Sequence, residues 1–229
     1  MPANFLTDEQ NQTYARYPNK LTEEQLSRYF HLDDKDKALI ASCRRDYNKF
    51  GYALQLVTVR FLGTFLANPI DVPNDIKKYI AQQLNINKTS LSAYLDRKAT
   101  RLSHTKEIKE LFGYSDFEKC GFRLTRWLYT QAWFSNERPS ILFERSVIWL
   151  IDQKVLLPGV STLMVLISKV RDHVAKKLWT QLTALVSPQQ KEKLENLLII
   201  PDGKRYSKLD ELKNGPINIS SVGIFCLYL

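Results

Sequence analysis

Hydrophobic residues recur at spacings of three and four along almost the whole chain, and strict alternation of apolar and polar residues is scarce. This spacing is typical of amphipathic α-helices. Thr7-x-x-Gln10 and Thr22-x-x-Gln25 have the capping-box form, in which a hydroxyl and an amide satisfy free N–H groups at a helix start. The sequence therefore predicts an all-α fold, arranged as serial helical bundles.

The longest apolar stretch of the N-terminal part, NKFGYALQLVTVRFLGTFL at residues 48–66, predicts the central helix of a first bundle. Its Gly51 and Gly63 lower the helix propensity, so we expect these two residues to permit close packing. Two prolines within residues 67–75 predict a linker after this helix. Asp33 or Asp34 is the expected cap of the preceding helix.

A pair of short helices with a turn between them is predicted at residues 76–95, IKKYIAQQLNINKTSLSAYL. Ala81 is small where two helices cross, and Asn85 can adopt the left-handed conformation that a sharp turn needs. The second helix then returns three apolar side chains to the same core, from Leu91, Tyr94 and Leu95. This layout is typical of a helix-turn-helix motif, whose second helix enters the major groove of DNA. A helical hairpin inside a protein core gives a similar pattern and stays the alternative.

Three parts of the chain follow from the breaks in the helical pattern. We expect an N-terminal helical module at residues 1–66 and a helix-turn-helix DNA-binding module at residues 74–152. A third helical module with an irregular C-terminal tail is expected at residues 153–229.

Candidate DNA contacts lie in and around the predicted second helix. Hydroxyl, amide and amine groups there can reach base edges, and an alanine methyl group can contact thymine. The predicted base-reading residues are Asn87, Lys88, Thr89, Ser92 and Ala93. Flanking basic residues would bind phosphates, which position a protein without specifying a base sequence. These are Lys77, Lys78, Arg97, Lys98 and Arg101, together with Arg44 and Arg45. The last two have a second explanation, because the end of the preceding predicted helix attracts arginine.

The charge of the chain agrees with a polyanionic partner. It has 33 Lys and Arg residues against 24 Asp and Glu residues. The excess lies beyond the first module: residues 1–66 carry nine basic and eight acidic side chains, whereas residues 74–138 carry twelve and seven. A basic balance favours nucleic acid or an anionic membrane surface. The most apolar tract is interrupted by charged residues and by Pro158-Gly159, so we expect no membrane span.

Signals for other chemistry are weak. The three cysteines are far apart and predict reduced thiols, and the three histidines share no metal-ligand spacing, so we expect no metal and no cofactor. No acid/base pair or nucleophile motif predicts a catalytic residue. The aromatic side chains that could stack on bases are better explained as core at their helical spacing; they are Trp127, Tyr129, Trp133 and Phe134.

Several long stretches resemble, in order, the opening of transposases of the Tn-three family. They are FLTDEQNQTYARYP, LSRYFHLDDKDKALI, RRDYNKFGYALQLVTVRFLGTFL, DVPNDIKKYIAQQL, LLPGVSTLMVLISKVRD and LLIIPDGKRYSKLDELKNGP. The resemblance reaches about Ser221. It implies a region that binds the terminal inverted repeats of a transposon. In this family a distant RNase-H-like domain holds the Asp-Asp-Glu metal site that cuts and joins DNA.

The chain stops before such a domain, and its last residues, VGIFCLYL, do not resemble the next helix of the family. We therefore expect a truncated transposase with no catalytic activity of its own, located in the bacterial cytoplasm and on the nucleoid when bound to DNA. The expected partners are double-stranded DNA at transposon ends and full-length transposase. Two alternatives stay open: a protein-interaction fragment that regulates full-length transposase by mixed assembly, and an enzyme that acts on single-stranded DNA.

Overall fold

The computed structural model of the chain describes residues 4–86 and 91–213. Within these ranges the chain forms twelve α-helices, one short 3₁₀ helix and no strand, which confirms the predicted all-α fold. The helices are α1 (Asp8–Thr13), α2 (Glu23–Tyr29), α3 (Asp34–Ser42), α4 (Asp46–Leu62), the 3₁₀ helix (Pro69–Asp71), α5 (Asn74–Gln83), α6 (Ser92–Leu95), α7 (Lys98–Phe112), α8 (Phe117–Phe134), α9 (Pro139–Asp152), α10 (Val160–Leu185), α11 (Pro188–Asn196) and α12 (Lys208–Lys213).

Two compact units make up the chain, Met1–Val174 and Ala175–Leu229. The division into three modules that we expect from the sequence stays a prediction. Among the described helices, none combines the length and the apolar character that crossing a membrane requires.

Side chains at the helix starts satisfy backbone N–H groups as the sequence predicts. Thr7 and Thr22 each form a complete capping box with the glutamine three residues later. At the start of α3 the cap is Asp33, whose carboxylate accepts from the Asp36 backbone N–H at 2.7 Å. The Asp36 carboxylate is itself buried, and it binds both terminal nitrogens of the Arg60 guanidinium, at 2.6 and 2.7 Å. This double contact joins α3 to α4.

The core of the first unit is built around α4, which confirms its predicted central position. Every residue of α4 from Phe50 to Val59 is buried. The surrounding helices supply further fully buried side chains, among them Ile40 of α3, Ile76 and Ile80 of α5, and Ile108 of α7. α5, α6 and α7 therefore all pack against α4.

The ends of two helices differ from the sequence-based expectation. α3 ends at Ser42, so Arg44 and Arg45 lie beyond its last turn, and Arg45 adopts a φ of 70° immediately before α4. Arg44 directly follows the Cys43 cap of α3, so both explanations of the two arginines, phosphate contact and attraction to the helix end, stay open. α4 ends at Leu62, because Gly63 takes a left-handed conformation at its C-terminus with a φ of 70°. The expected linker contains the 3₁₀ helix and places Val72 in the core.

Candidate nucleic-acid interface

The predicted sharp turn after α5 is present. Asn85 has a φ of 54°, in the left-handed region, and the Ile86 N–H donates to the Ala81 carbonyl at 2.9 Å. Leu84 and Ile86 on either side of the turn pack against the core. The next described helix, α6, is a single turn of four residues. Its use as a DNA-reading helix stays a prediction.

Tyr94 holds α6 against α4. Its side chain is fully buried, and its ring lies so close to Gly51 that a Cβ atom at residue 51 would be 2.5 Å from the ring carbon Cζ. Gly51 therefore permits close packing between the two helices, as the sequence predicts. α6 approaches α4 here because residue 51 has no side chain.

A buried hydrogen-bond network surrounds the Tyr94 hydroxyl. Gln55 Nε2 of α4 donates to this hydroxyl at 3.0 Å, and the hydroxyl lies 2.9 Å from Nδ1 of His104 in α7. Because the tyrosine oxygen accepts from Gln55, its own proton is available to a neutral His104. Burial lowers the pKa of His104, which favours this neutral form. Burial likewise raises the pKa of Tyr94. The network thus links α4, α6 and α7 through specific atoms.

Two of the predicted phosphate contacts meet at a third residue, Tyr47 of α4. The guanidinium carbons of Arg45 and Arg97 each lie 5.8 Å from the centre of the Tyr47 ring. Arg45 Nη1 also donates to the Tyr47 hydroxyl at 2.8 Å. Both arginines are exposed, and cation–π contacts of this kind hold a guanidinium while leaving its outer edge accessible. We refer to Arg45, Tyr47 and Arg97 as the arginine–tyrosine cluster. The sequence does not predict a role for Tyr47, because no local pattern identifies a residue that contacts two arginines 52 positions apart (45 and 97).

Lys98 and Arg101 occupy the first turn of α7, next to this cluster in the chain. Both line a cavity of about 280 Å³ that also contacts Gln55 and Phe65 of other segments. Lys98 is exposed, whereas Arg101 is half-buried and its Nε has no hydrogen-bond partner among the described residues. Lys98 is therefore free to reach a phosphate, whereas the Arg101 Nε donor is itself buried.

Lys77 and Lys78 on α5 have different surroundings. Lys77 is half-buried, and burial lowers its pKa against the opposing effect of Asp71. Lys78 lies on an open groove of about 720 Å³, whose lining includes Glu23, Glu24 and Asp75. Carboxylates in the same groove reduce the positive potential around Lys78. The surroundings of the two lysines thus favour phosphate contact less than those of Arg97 and Lys98.

The predicted base-reading residues are only partly described. Asn87, Lys88 and Thr89 lie outside the described residues. Ser92 is exposed at the start of α6, and Ala93 beside it is half-buried. Arg44, the remaining predicted phosphate contact, is exposed. All of these assignments stay predictions.

The aromatic residues of α8 are not uniformly core. Trp127 stacks with Trp149 and Tyr129 with Trp133, at ring-centre distances of 6.0 and 5.7 Å, and these residues are half-buried. Phe134 is 82% exposed, so its interpretation as core is wrong. Cys43 and Cys120 are free thiols, and among residues 4–86 and 91–213 no three His, Cys, Asp or Glu side chains are grouped to hold a metal ion.

Comparison with known proteins places this all-helical chain in a family. It belongs to the family described as a domain of unknown function (DUF4158), whose sequence model matches residues 5–170. It is 46% identical over 223 residues to the transposase for transposon gamma-delta of Escherichia coli (strain K12), a match that covers 96% of this chain and 22% of that protein. It is 28% identical over 194 residues to the transposase for transposon Tn1546 of Enterococcus faecium, covering 85% of this chain and 19% of that protein.

The chain spans about a fifth of the length of the curated relatives that it matches. This similarity confirms the resemblance to transposases of the Tn-three family and supports a transposase-related role for the chain.

Proposed function

We propose that the chain binds terminal inverted-repeat DNA of a transposon sequence-specifically, and that it positions the transposon end for cleavage and strand transfer by a transposase catalytic domain. The observation that carries the proposal is the convergence of predicted phosphate contacts beside the helix pair. Arg45 and Arg97 are 52 positions apart, yet both contact Tyr47. The similarity to transposases over nearly the whole chain makes transposon DNA the expected polyanion.

The surroundings of α6 favour a role in reading bases. Tyr94 is directed into the core by its ring packing and its hydrogen bonds, while Ser92 on the same helix is exposed. A helix held in this way can present its exposed side to the major groove in one orientation. The arginine–tyrosine cluster and Lys98 would then bind the phosphates on either side of the groove.

Fluorescence anisotropy with a terminal-repeat duplex and a scrambled duplex, measured over a salt series, tests this proposal. We expect tighter binding to the repeat, with log affinity falling by roughly 0.9 per phosphate neutralised for each unit of log salt. Lys88→Ala is expected to reduce the preference for the repeat, whereas Lys98→Ala is expected to weaken binding to both duplexes alike. Equal, weak binding of the unmodified chain to both duplexes would refute sequence-specific binding. An equal loss of preference in the two variants would refute the division of roles.

A second candidate function is regulation of full-length transposase by mixed assembly. The unit Ala175–Leu229 exposes large apolar side chains: Trp179 is 68% exposed, Leu182 52% and Leu185 79%. Exposed apolar groups of this size mark surfaces that bind other proteins. Light scattering of the chain mixed with full-length transposase would detect a complex, and Leu182→Ser with Leu185→Ser should weaken it. If the chain and the enzyme scatter as separate species, mixed assembly is excluded.

We also propose that the chain alone cuts no DNA. Incubation of single-stranded and duplex DNA with magnesium or manganese should show no cleavage above background. Cleavage that persists after repeated purification would favour the alternative of an enzyme acting on single-stranded DNA.

A further inference from the structure

One face of α8 combines exposed basic and aromatic side chains. Lys119, Arg123 and Arg126 follow at spacings of four and three, which places them on the same side of the helix. Phe122 is three residues from Lys119 and four from Arg126, so it lies between them, and it is 80% exposed. The opposite side of α8 is buried in the core through Cys120, Leu124 and Leu128. We call Lys119, Phe122, Arg123 and Arg126 the α8 face.

None of the three basic side chains of the α8 face forms an ion pair with a described residue. Lys119 and Arg126 make no ion pair or side-chain hydrogen bond with any described residue. Arg123 donates from Nη2 to Gln153 Oε1 at 2.8 Å, a neutral partner that orients the guanidinium and leaves its charge. No Asp or Glu occurs between residues 119 and 134. Three positive charges therefore lie on one side of a rigid helix without an ion pair. Lys119 shares a shallow pocket with Glu110 and with Asp116, but Asp116 is already paired with Lys109.

The chemistry of these side chains points to one class of ligand. Three cations in a row select a polyanion. A phenyl ring has no hydrogen-bonding group, and its largest contact with a nucleic acid is stacking on the flat face of a base. Base faces are accessible where a strand is unpaired, whereas paired bases in a duplex are covered by their neighbours. Basic residues interleaved with aromatic rings are the usual composition of surfaces that bind single-stranded nucleic acid.

We propose that the α8 face binds unpaired DNA, with Lys119, Arg123 and Arg126 on the phosphates and Phe122 stacked on a base. The proposal rests on the proposed function only in requiring that the chain binds DNA. It concerns a helix outside the helix pair predicted at residues 76–95, so the two can fail separately. An anionic lipid surface offers charge too, but α8 itself exposes only two large apolar side chains, Phe122 and the 82%-exposed Phe134, which provide little apolar area for insertion.

Binding of the full chain to a fluorescein-labelled single-stranded oligonucleotide, measured by anisotropy over a salt series, tests the proposal. Phe122→Ala should weaken binding about tenfold with an unchanged salt slope, because stacking does not displace counterions. Replacing Lys119, Arg123 and Arg126 together by glutamine should lower the slope by about 2, since each phosphate contact on a single strand contributes roughly 0.7. Because Phe122 and the three basic residues are exposed, these variants should fold as the unmodified chain does.

Two matched controls replace exposed residues away from the α8 face. Leu111→Ala removes a side chain of α7 that is 55% exposed, and Lys35→Gln removes an exposed charge of α3. Neither should change binding to the single strand. If Phe122→Ala binds as tightly as Leu111→Ala, the stacking role is overturned. If the triple variant keeps the original salt slope, the phosphate contacts are overturned.

Two further measurements separate this proposal from its neighbours. If the chain prefers the repeat duplex but the α8 variants bind the single strand as tightly as the unmodified chain, the α8 proposal is overturned and the proposed function is retained. Single-strand binding that depends on the α8 face, without selectivity for the repeat duplex, would support the α8 proposal and refute the proposed function. Binding of the chain to vesicles of phosphatidylserine and phosphatidylcholine gives the second test. If the α8 variants abolish vesicle binding and leave DNA binding unchanged, the α8 proposal is overturned in favour of a membrane surface.

Discussion

A methyl group added at Gly51 tests whether Tyr94 holds α6 in place. In the Gly51→Ala variant the new Cβ would lie 2.5 Å from Cζ of Tyr94 and closer still to two other ring carbons, whereas ordinary contact begins at 3.4 Å. The ring must therefore move by about 1 Å. It cannot move outward freely, because it is fully buried and its hydroxyl is bonded to Gln55 and His104.

The expected cost follows from three contributions. Overpacking of this kind costs roughly 1–3 kcal/mol. Loosening the hydrogen bonds of a buried hydroxyl costs about another 1 kcal/mol. Replacing glycine by alanine inside a helix returns about 1 kcal/mol. The net loss of unfolding free energy should be about 2 kcal/mol, or a melting temperature lower by roughly 4–8 °C for a domain of this size.

Gly121→Ala is the matched control, since Gly121 also lies inside a helix and a Cβ there would meet nothing within 4 Å. It should gain about 1 kcal/mol from helix propensity alone. Thermal and urea unfolding of the two variants, followed by circular dichroism, measure the difference. If Gly51→Ala is as stable as Gly121→Ala, the contact between α4 and Tyr94 is not tight and the argument for a fixed α6 fails. Gly51→Ala should also lose preference for the repeat duplex, while Gly121→Ala should keep it.

The remaining predictions concern buried charge, pH and the arginine–tyrosine cluster. Asp36→Asn should lower the free energy of unfolding of the first unit by about 3 kcal/mol in urea unfolding, because it leaves Arg60 without its ion partner. Glu110→Gln is the control: it removes an exposed ion pair with Lys106 and should change stability by less than about 0.5 kcal/mol. The pKa of His104 is lowered in the folded chain, so the folded state favours the neutral imidazole. The contribution of His104 to stability is therefore complete above the ordinary histidine pKa of about 6.5 and is lost as the pH falls below that value. The melting temperature should therefore fall between pH 7.5 and 5.5, and a His104→Gln variant with an equal fall would contradict this origin. Tyr47→Ala should weaken binding to both duplexes by about threefold in anisotropy, since it removes cation–π contacts each of roughly 0.5–1 kcal/mol; unchanged affinity would show that the cluster does not contact DNA.

Local features of the fold could be predicted, because local chemistry determines them. The capping boxes at Thr7 and Thr22 involve residues three apart, and the left-handed turn at Asn85 depends on one residue with a short polar side chain. The apolar pattern continues past Gly63 and predicts an end of α4 at Leu66, four residues beyond its actual end at Leu62. Periodicity reports which side chains are buried, and it does not report where the backbone leaves the helix.

Contacts between distant segments could not be predicted from spacing. The sequence predicts Arg45 and Arg97 as separate phosphate contacts, and only the packing of α6 and α7 against α4 brings both of them to Tyr47. The exposed Phe134 was assigned to the core for a related reason. Its helical spacing agrees with burial, but no element of the described fold covers that side of α8, and the sequence does not say which elements are neighbours.

The polar network at Tyr94 explains how a one-turn helix can hold a defined position. Aliphatic side chains in its place would bury comparable area, but packing alone permits small rotations and shifts of so short a helix, because apolar contacts are not directional. The bonds from Gln55 and to His104 have preferred distances and angles, so they are lost if the ring moves by about an ångström. A buried hydroxyl without hydrogen-bond partners is costly. Other positions of α6 are therefore disfavoured, because they would leave the Tyr94 hydroxyl unpaired. The network therefore gives α6 positional accuracy, which the proposed role in reading base edges would require to within about 0.5 Å.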